Sequence, residues 1–308
     1  MRQVYAIGET VYDIIFKENQ VQTGRPGGSM LNSAVSMGRA RLPIHFISEY
    51  GCDEIGNMID HVLKDNSVNT HDVYRFPDGK TTVAIAVMDQ KNNARYNFYR
   101  DTPQTRLNKA FPSLNDGDIL LFGSYYSLAH EIREKVFTFV DAAKHLNALI
   151  IYDPNYRNAH LHELEKLRPI ILENFSLASI VKGSDEDFKL IFGATTVDEA
   201  FREVSKYCPF LFYTMADKGV YFISKEKKIY VPTHKISPVS TIGAGDNFSA
   251  GIIYALYNEK IKQSELALLS EQTIKMLIES GIEFATDVCL SYDNYISQKF
   301  ANSLFHKN

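Results

Sequence analysis

Short apolar runs and longer amphipathic stretches alternate along most of the chain. Val4-Tyr5-Ala6-Ile7, Ile44-His45-Phe46-Ile47-Ser48, Ile119-Leu120-Leu121-Phe122, Leu149-Ile150-Ile151-Tyr152, Ser179-Ile180-Val181 and Phe210-Leu211-Phe212-Tyr213 are too short for helices. Their apolar positions run on instead of alternating, as in strands covered on both faces. Leu31, Ala34, Val35 and Gly38 share one face of a helix, and residues 55–64, 131–145, 161–174, 184–192 and 197–207 also follow a helical pattern. Strands alternating with helices predict an α/β fold: a doubly wound, mostly parallel sheet with helices on both faces. Gly219 to Ser224 and Lys228 to Val231 predict an antiparallel hairpin at one edge.

The pattern changes in two places. Ile14-Ile15-Phe16 and Val21-Gln22 flank a polar turn at residues 17–20. Thr82 to Met88 and Ala94 to Tyr99 flank a second polar turn, Asp89 to Asn93. No helix-length segment separates the strands of either pair, so each should form an antiparallel hairpin outside the main sheet. The expected organisation is one α/β domain over residues 1–308, carrying a small antiparallel β lid from about 14–24 and 73–100. Exposed strand edges and an apolar face need cover, which suggests a lid, a dimer contact, or both, and the expectation is a homodimer formed lid against lid.

Composition narrows the class. With 308 residues, 45% hydrophobic and 23% charged, the chain is long enough for a large soluble enzyme. A formal net charge of -4 shows no basic excess, which disfavours a nucleic-acid partner. No apolar run reaches the roughly 18 residues of a membrane span, and the first residues do not read as a signal peptide. Cys52, Cys208 and Cys289 are odd in number and far apart, as expected in a reducing compartment. The expectation is a cytoplasmic protein.

Candidate chemistry sits at glycine turns and strand ends. Gly243-Ala244-Gly245 precedes Asp246 and an apolar run, Phe248-Ser249-Ala250-Gly251-Ile252-Ile253, with helical character. The first N–H groups of a helix lack internal partners, so such a turn can hold an anion. An acid beside a bound phosphate repels it as a ligand, yet suits a base taking a proton from an attacking hydroxyl. Alone, the same turn also fits an ordinary helix cap. Gly24-Arg25-Pro26-Gly27-Gly28-Ser29-Met30-Leu31-Asn32 is a second glycine cluster before a helix, where Asn32 can pair with hydroxyls. Asp13 follows the first strand, Gly123-Ser124 the Phe122 strand, Asp153-Pro154-Asn155-Tyr156-Arg157 the Tyr152 strand, and Lys182 to Asp187 the Val181 strand. Ser184 with Asp187 also fits a capping box. Several polar strand ends at one edge point to a site built there.

These residues carry a resemblance. Across essentially its full length the chain resembles the ribokinase-like, or PfkB, sugar kinases. Gly243-Ala244-Gly245-Asp246 is similar to their C-terminal signature, and Gly27-Gly28 with Asn32 to their N-terminal one. The resemblance implies an ATP-dependent sugar kinase in which Asp246 is the base and the backbone of Gly243, Ala244 and Gly245 holds the transferring phosphate. It implies that Asp13, Gly27, Gly28 and Asn32 bind the sugar, together with Asn155 and Arg157. Ser184, Thr214, Ala216 and Gly219 would contact the nucleotide, with Ala216 where glycine is usual. Asp187 would serve Mg²⁺, one methylene shorter than the usual Glu and so acting through water. Ser240 stands where many relatives carry an Asp that helps hold K⁺, which implies turnover depending little on K⁺. Gly8-Glu9 ahead of Asp13, Phe122-Gly123-Ser124 and the Asp153 to Arg157 segment look most like the fructokinase branch. Residues 100–105 depart from its pattern, which leaves ribose or a sugar acid such as 2-keto-3-deoxygluconate open. A sugar-binding regulator with little catalysis is the alternative of another class. The chain lacks the P-loop and dinucleotide glycine fingerprints and any His-Glu-x-x-His.

Overall fold

A computed structural model describes residues 2–88 and 94–305. The expected turn at Asp89 to Asn93 lies outside the described residues. In chain order the strands are β1 (Val4–Ile7), β2 (Val11–Lys17), β3 (Gln20–Gly27), β4 (Ile44–Ile47), β5 (Glu49–Gly51), β6 (Tyr74–Phe76) and β7 (Lys80–Met88). They continue as β8 (Ala94–Asp101), β9 (Ile119–Gly123), β10 (Leu149–Asp153), β11 (Ile180–Ser184), β12 (Leu211–Thr214), β13 (Val220–Ile223) and β14 (Lys228–Val231). The α-helices are α1 (Ser29–Arg39), α2 (Glu54–Asp65), α3 (Arg133–His145), α4 (Leu164–Leu177), α5 (Asp185–Phe192), α6 (Val197–Val204), α7 (Ala244–Asn258), α8 (Glu271–Cys289) and α9 (Gln298–Ser303).

The main sheet has the order β14-β13-β12-β11-β10-β9-β1-β4, parallel from β12 to β4 and antiparallel at the β13–β14 edge. Its apolar runs are continuous because alternate residues enter different layers. Val4, Ala6, Ile119, Leu121, Leu149 and Ile151 pack in one core with residues of α1, α7 and α8. Tyr5, Ile7, Leu120, Phe122, Ile150 and Tyr152 pack in the other with residues of α3 to α6. This is the doubly wound, mostly parallel α/β arrangement expected from the alternation, with helices on both faces. The chain leaves β1 for β4 on one side, and β9 lies on the other. That reversal opens a crevice at the C-terminal strand ends, where ligands bind in open α/β sheets.

A separate four-stranded sheet has the order β3-β2-β7-β8. β2 and β3 form the expected hairpin, closing through Glu18 and Asn19 at φ 52° and 62°. Two consecutive left-handed residues match the twist of a hairpin. β7 and β8 pair antiparallel, also as expected. The two hairpins join in parallel, with Tyr12 opposite Val83 and Lys17 opposite Met88. A parallel join needs a long crossover, and the segment holding α1, β4, β5, α2 and β6 supplies it. The start expected near residue 73 shifts, because β6 pairs with β5 in a sheet of its own.

Candidate active site

Helix α7 starts from Gly243, whose φ of 81° lies in the left-handed region and which carries no side-chain cap. A Cβ on Gly243 would sit 2.7 Å from the Asn294 carbonyl oxygen, so glycine is required by conformation and by space. The Ala244 N–H reaches the Thr241 carbonyl at 3.3 Å. The next two N–H groups, of Gly245 and Asp246, donate to no partner among the described residues. They are the free donors that a helix start offers to an anion. A Cβ on Gly245 would lie 3.1 Å from the Lys182 ammonium, which places a cation beside the same turn.

Asp246 lies in this first turn and is only 7% exposed. Its oxygens are held from opposite sides: Asn32 Nδ2 donates to Oδ2 at 2.9 Å and Asn155 Nδ2 to Oδ1 at 3.0 Å. Burial raises its pKa above the ordinary carboxylate value, against the Asn32 hydrogen bond, the charges of Arg157 and Lys182, and the Asn155 hydrogen bond. A buried carboxylate with raised basicity, oriented by two amides, can accept a proton from a hydroxyl set before it. Residues 32, 155 and 246, far apart in the chain, thus meet at one carboxylate.

Asp13 lies within β2, not in a loop after β1. Its carboxylate packs against Gly27, where a Cβ would stand 2.1 Å from Oδ2. Gly28, at φ 126°, passes so close to the Glu9 carbonyl that a Cβ would approach to 2.3 Å. Burial pushes Asp13 up to about 6, with Arg25 opposing and Glu9 adding to the rise. Burial also raises Glu9, against the charges of Arg100, Arg106 and Arg157. Asp13 packs against Gly27 just ahead of α1, and Asn32 in the first turns of α1 holds Asp246, so the Asp13 and Asp246 sides flank the start of one helix. Asn32 Oδ1 is buried and has no hydrogen-bond partner among the described residues. An orphaned acceptor is costly, and a ligand hydroxyl would satisfy it.

The residues assigned to the nucleotide lie one and two strands beyond β10, on β11, on β12 and in the turn after β12. Ser184 caps α5 in a box with Asp187 and stands opposite Thr214 in the sheet. Asp187 is engaged: Oδ2 accepts from the Ser184 N–H at 2.7 Å and hydroxyl at 2.6 Å, and Oδ1 from the Tyr156 N–H at 2.6 Å. Such a carboxylate does not fit direct ligation of a metal, and its remaining capacity suits contact through water. Ala216 holds φ 48°, the left-handed conformation that glycine would adopt without strain. Gly219 packs against the Val231 carbonyl, where a Cβ would approach to 2.6 Å.

Two neighbours, Lys182 and Asn247, had no role of their own in the reading of the sequence. Lys182 is 4% exposed and forms a buried ion pair with Asp153 at 2.8 Å, while Ser249 Oγ donates to Asp153 at 3.2 Å. The signal was present, since Lys182 is a charge inside the run Ile180-Val181-Lys182-Gly183, where a buried strand calls for an apolar residue. Asn247 is the other: its neighbour Asp246 drew the reading, and nothing local marks it.

A buried carboxylate set at a helix start with free N–H groups among the described residues, on the ligand-binding edge of this sheet, fits a phosphoryl-transfer enzyme. The chain is a member of the pfkB family of carbohydrate kinases, whose model matches residues 1–272. It is 26% identical to fructokinase-1 of Oryza sativa subsp. japonica over 287 residues, which is 90% of this chain and 87% of that protein. It is 24% identical to the fructokinase of Vibrio alginolyticus over 260 residues, covering 83% and 84%. Among solved structures, the Vibrio cholerae O395 fructokinase bound to fructose, ADP and calcium superposes with a TM-score of 0.82 at 22% identity, covering 96% of this chain and 94% of that one. The aminoimidazole riboside kinase of Salmonella enterica, complexed with aminoimidazole riboside and an ATP analogue, gives 0.83 at 20% identity and 99% of each chain. Membership of the family makes this protein an ATP-dependent sugar kinase, and the relatives support its fructokinase branch.

Proposed function

We propose that this enzyme phosphorylates a hydroxyl of a ketohexose such as fructose, with Asp246 as general base and the Gly243, Ala244 and Gly245 turn as anion hole. The observation that carries this reading is the Asp246 carboxylate, gripped by Asn32 and Asn155 at the mouth of α7. Asp13 and Asn32 bind sugar hydroxyls, Gly27 and Gly28 let the sugar approach the backbone, and Asn155 and Arg157 close the same side. The sugar O–H proton passes to Asp246 as its oxygen bonds to the γ-phosphorus and the bond to the β-phosphate oxygen breaks, releasing ADP. The turn's free N–H groups then face the charge on the transferring phosphoryl group. Asp187 would meet a Mg²⁺ ion carried by the triphosphate through water, and the ion would neutralise phosphate charge. Ser184, Thr214, Ala216 and Gly219 flank the nucleotide.

A second reading keeps the chemistry and changes the substrate. Arg100 and Arg157 form no ion pair among the described residues. Arg100 lies two residues along β8 from Phe98, which stands opposite Ala84 and hence in line with Asp13, so Arg100 shares the Asp13 face of the small sheet. Guanidinium groups beside the sugar site, with Arg100 lying over the Phe98 ring at 4.7 Å, favour an anionic substituent, as in 2-keto-3-deoxygluconate. The small sheet is proposed as a lid that also forms the homodimer contact, and the cytoplasm as the compartment. No helix among the described residues is long and apolar enough to cross a membrane.

ADP release measured with fructose, ribose and 2-keto-3-deoxygluconate separates these substrates, and tight sugar binding without turnover would favour the regulator. In Asp246→Asn, turnover should fall about a hundred- to ten-thousandfold, the usual worth of a general base, with sugar binding kept. Retention of more than about a tenth of kcat would remove Asp246 from that role.

A further inference from the structure

Asn247, next to the proposed base, is fully buried and has every polar atom of its side chain engaged. Its amide nitrogen donates to the Gly243 carbonyl at 2.7 Å and to the Asn294 carbonyl at 2.8 Å. Its amide oxygen accepts from the Ser36 hydroxyl of α1, and that hydroxyl accepts the Ile296 N–H at 3.0 Å. One side chain therefore ties the glycine turn, the segment after α8 and helix α1 together.

The location of this tie has a consequence for the anion-holding groups. A helix start is ordinarily secured by a side chain that caps its N–H groups. Here Gly243 offers no such cap, and the Gly245 and Asp246 N–H groups stay free among the described residues. The turn must then be held from its carbonyl side. The Gly243 carbonyl accepts both the Asn247 backbone N–H at 2.9 Å and the Asn247 side chain at 2.7 Å. A peptide unit is planar, so fixing that oxygen fixes the plane and direction of the following Ala244 N–H, and with it the start of α7. Glycine at φ 81° has no steric wall of its own to hold this orientation. The Gly243 and Asn294 carbonyls also converge on the same amide nitrogen. Without it they would face each other as uncompensated like dipoles and push the turn open.

We infer that Asn247 is a positioning residue for phosphoryl transfer, holding the free N–H groups of the α7 start in the aim required by the transferring phosphate. Because it acts through the turn, its contribution should appear where charge develops and not in ground-state binding. This rests on the kinase reading above, and the test keeps the two separable.

The experiment uses the full chain as wild type, Asn247→Ala and Ser36→Ala. For each, kcat is measured with the sugar that wild type turns over. Calorimetry gives the affinities for sugar, for ADP with sugar, and for ADP with aluminium fluoride and sugar, a mimic of the trigonal phosphoryl group. Asn247→Ala should keep sugar and ADP affinities within about twofold, while kcat and mimic affinity fall together at least about tenfold, the scale of misaimed preorganised donors. Ser36→Ala, which keeps the amide but removes its anchor, should move the same two quantities in the same direction by about threefold. A folded Asn247→Ala with wild-type mimic affinity overturns the inference, even if its melting temperature drops. If Asn247→Ala does not fold, Ser36→Ala decides: wild-type kcat and mimic affinity overturn the inference, and their joint decline supports it. Wild type inactive on every sugar tested would instead defeat the kinase reading.

Discussion

Replacing Asp13 with asparagine should weaken sugar binding and at the same time make the fold more stable at neutral pH. The carboxylate packs against Gly27, accepts no hydrogen bond among the described residues, and titrates at about 6 instead of 3.8. Its folded pKa lies above its unfolded one, so between the two values the folded state binds more protons. Stability therefore falls as pH rises from 3.8 toward 6, and the full penalty is present above that range. At about 1.4 kcal/mol per pKa unit the difference amounts to roughly 3 kcal/mol, and solvent screening at a partly exposed group reduces this to about 1–2 kcal/mol. With about 2.1 cal/mol/K of unfolding entropy per residue and 308 residues, that becomes a rise in Tm of about 2–3 °C. Asparagine has nearly the same shape, so packing against Gly27 should survive. Losing a charged acceptor for a sugar hydroxyl costs about 1.5–3 kcal/mol, or roughly ten- to a hundredfold in sugar KM. Thermal unfolding from pH 5 to 8, with KM measured at pH 8, tests both. The stability gain should shrink toward pH 5. A variant with Tm at or below wild type at pH 8, or with KM within about threefold of wild type, would refute the reasoning.

Three further outcomes follow from individual residues. Asp187→Ala should raise the Mg²⁺ concentration needed for half-maximal turnover several-fold. It should also lower stability by about 1–2 kcal/mol through the lost cap and the unpaired Tyr156 N–H; an unchanged Mg²⁺ titration would leave Asp187 as a cap alone. Exchanging K⁺ for a bulky organic cation at constant ionic strength should change kcat little, because Ser240 brings no charge and its hydroxyl accepts the Ile242 N–H. A drop beyond about tenfold, roughly 1.4 kcal/mol of barrier, would show a cation site that survives the substitution. Ala216→Gly should raise stability slightly, by up to about 1 kcal/mol, as relief of left-handed strain at φ 48° outweighs the added entropy of glycine; a lower Tm would show that the turn is not strained.

Much of this protein's fold is written in its amino-acid sequence, for a local reason. Val4 to Ile7, Ile119 to Phe122 and Leu149 to Tyr152 had to be covered strands because their apolar positions leave no face for water. Gly243 and Gly28 marked turns because their backbone angles exclude side chains. Ser184 and Asp187 formed their capping box because both partners lie within one helical turn. What the chain could not disclose depends on contacts between distant segments. The parallel join of β2 to β7 is made after a long crossover, so neither hairpin's pattern contains it. That Asn32 and Asn155 grip the same carboxylate, that Lys182 comes to rest beside Gly245, and that Asn247 binds two carbonyls from separate segments follow only from packing α1, β10, β11 and α7 around one crevice. Periodicity reports which face of an element is buried. A buried polar side chain is given its partner by the tertiary structure, because only there does leaving it unpaired become costly.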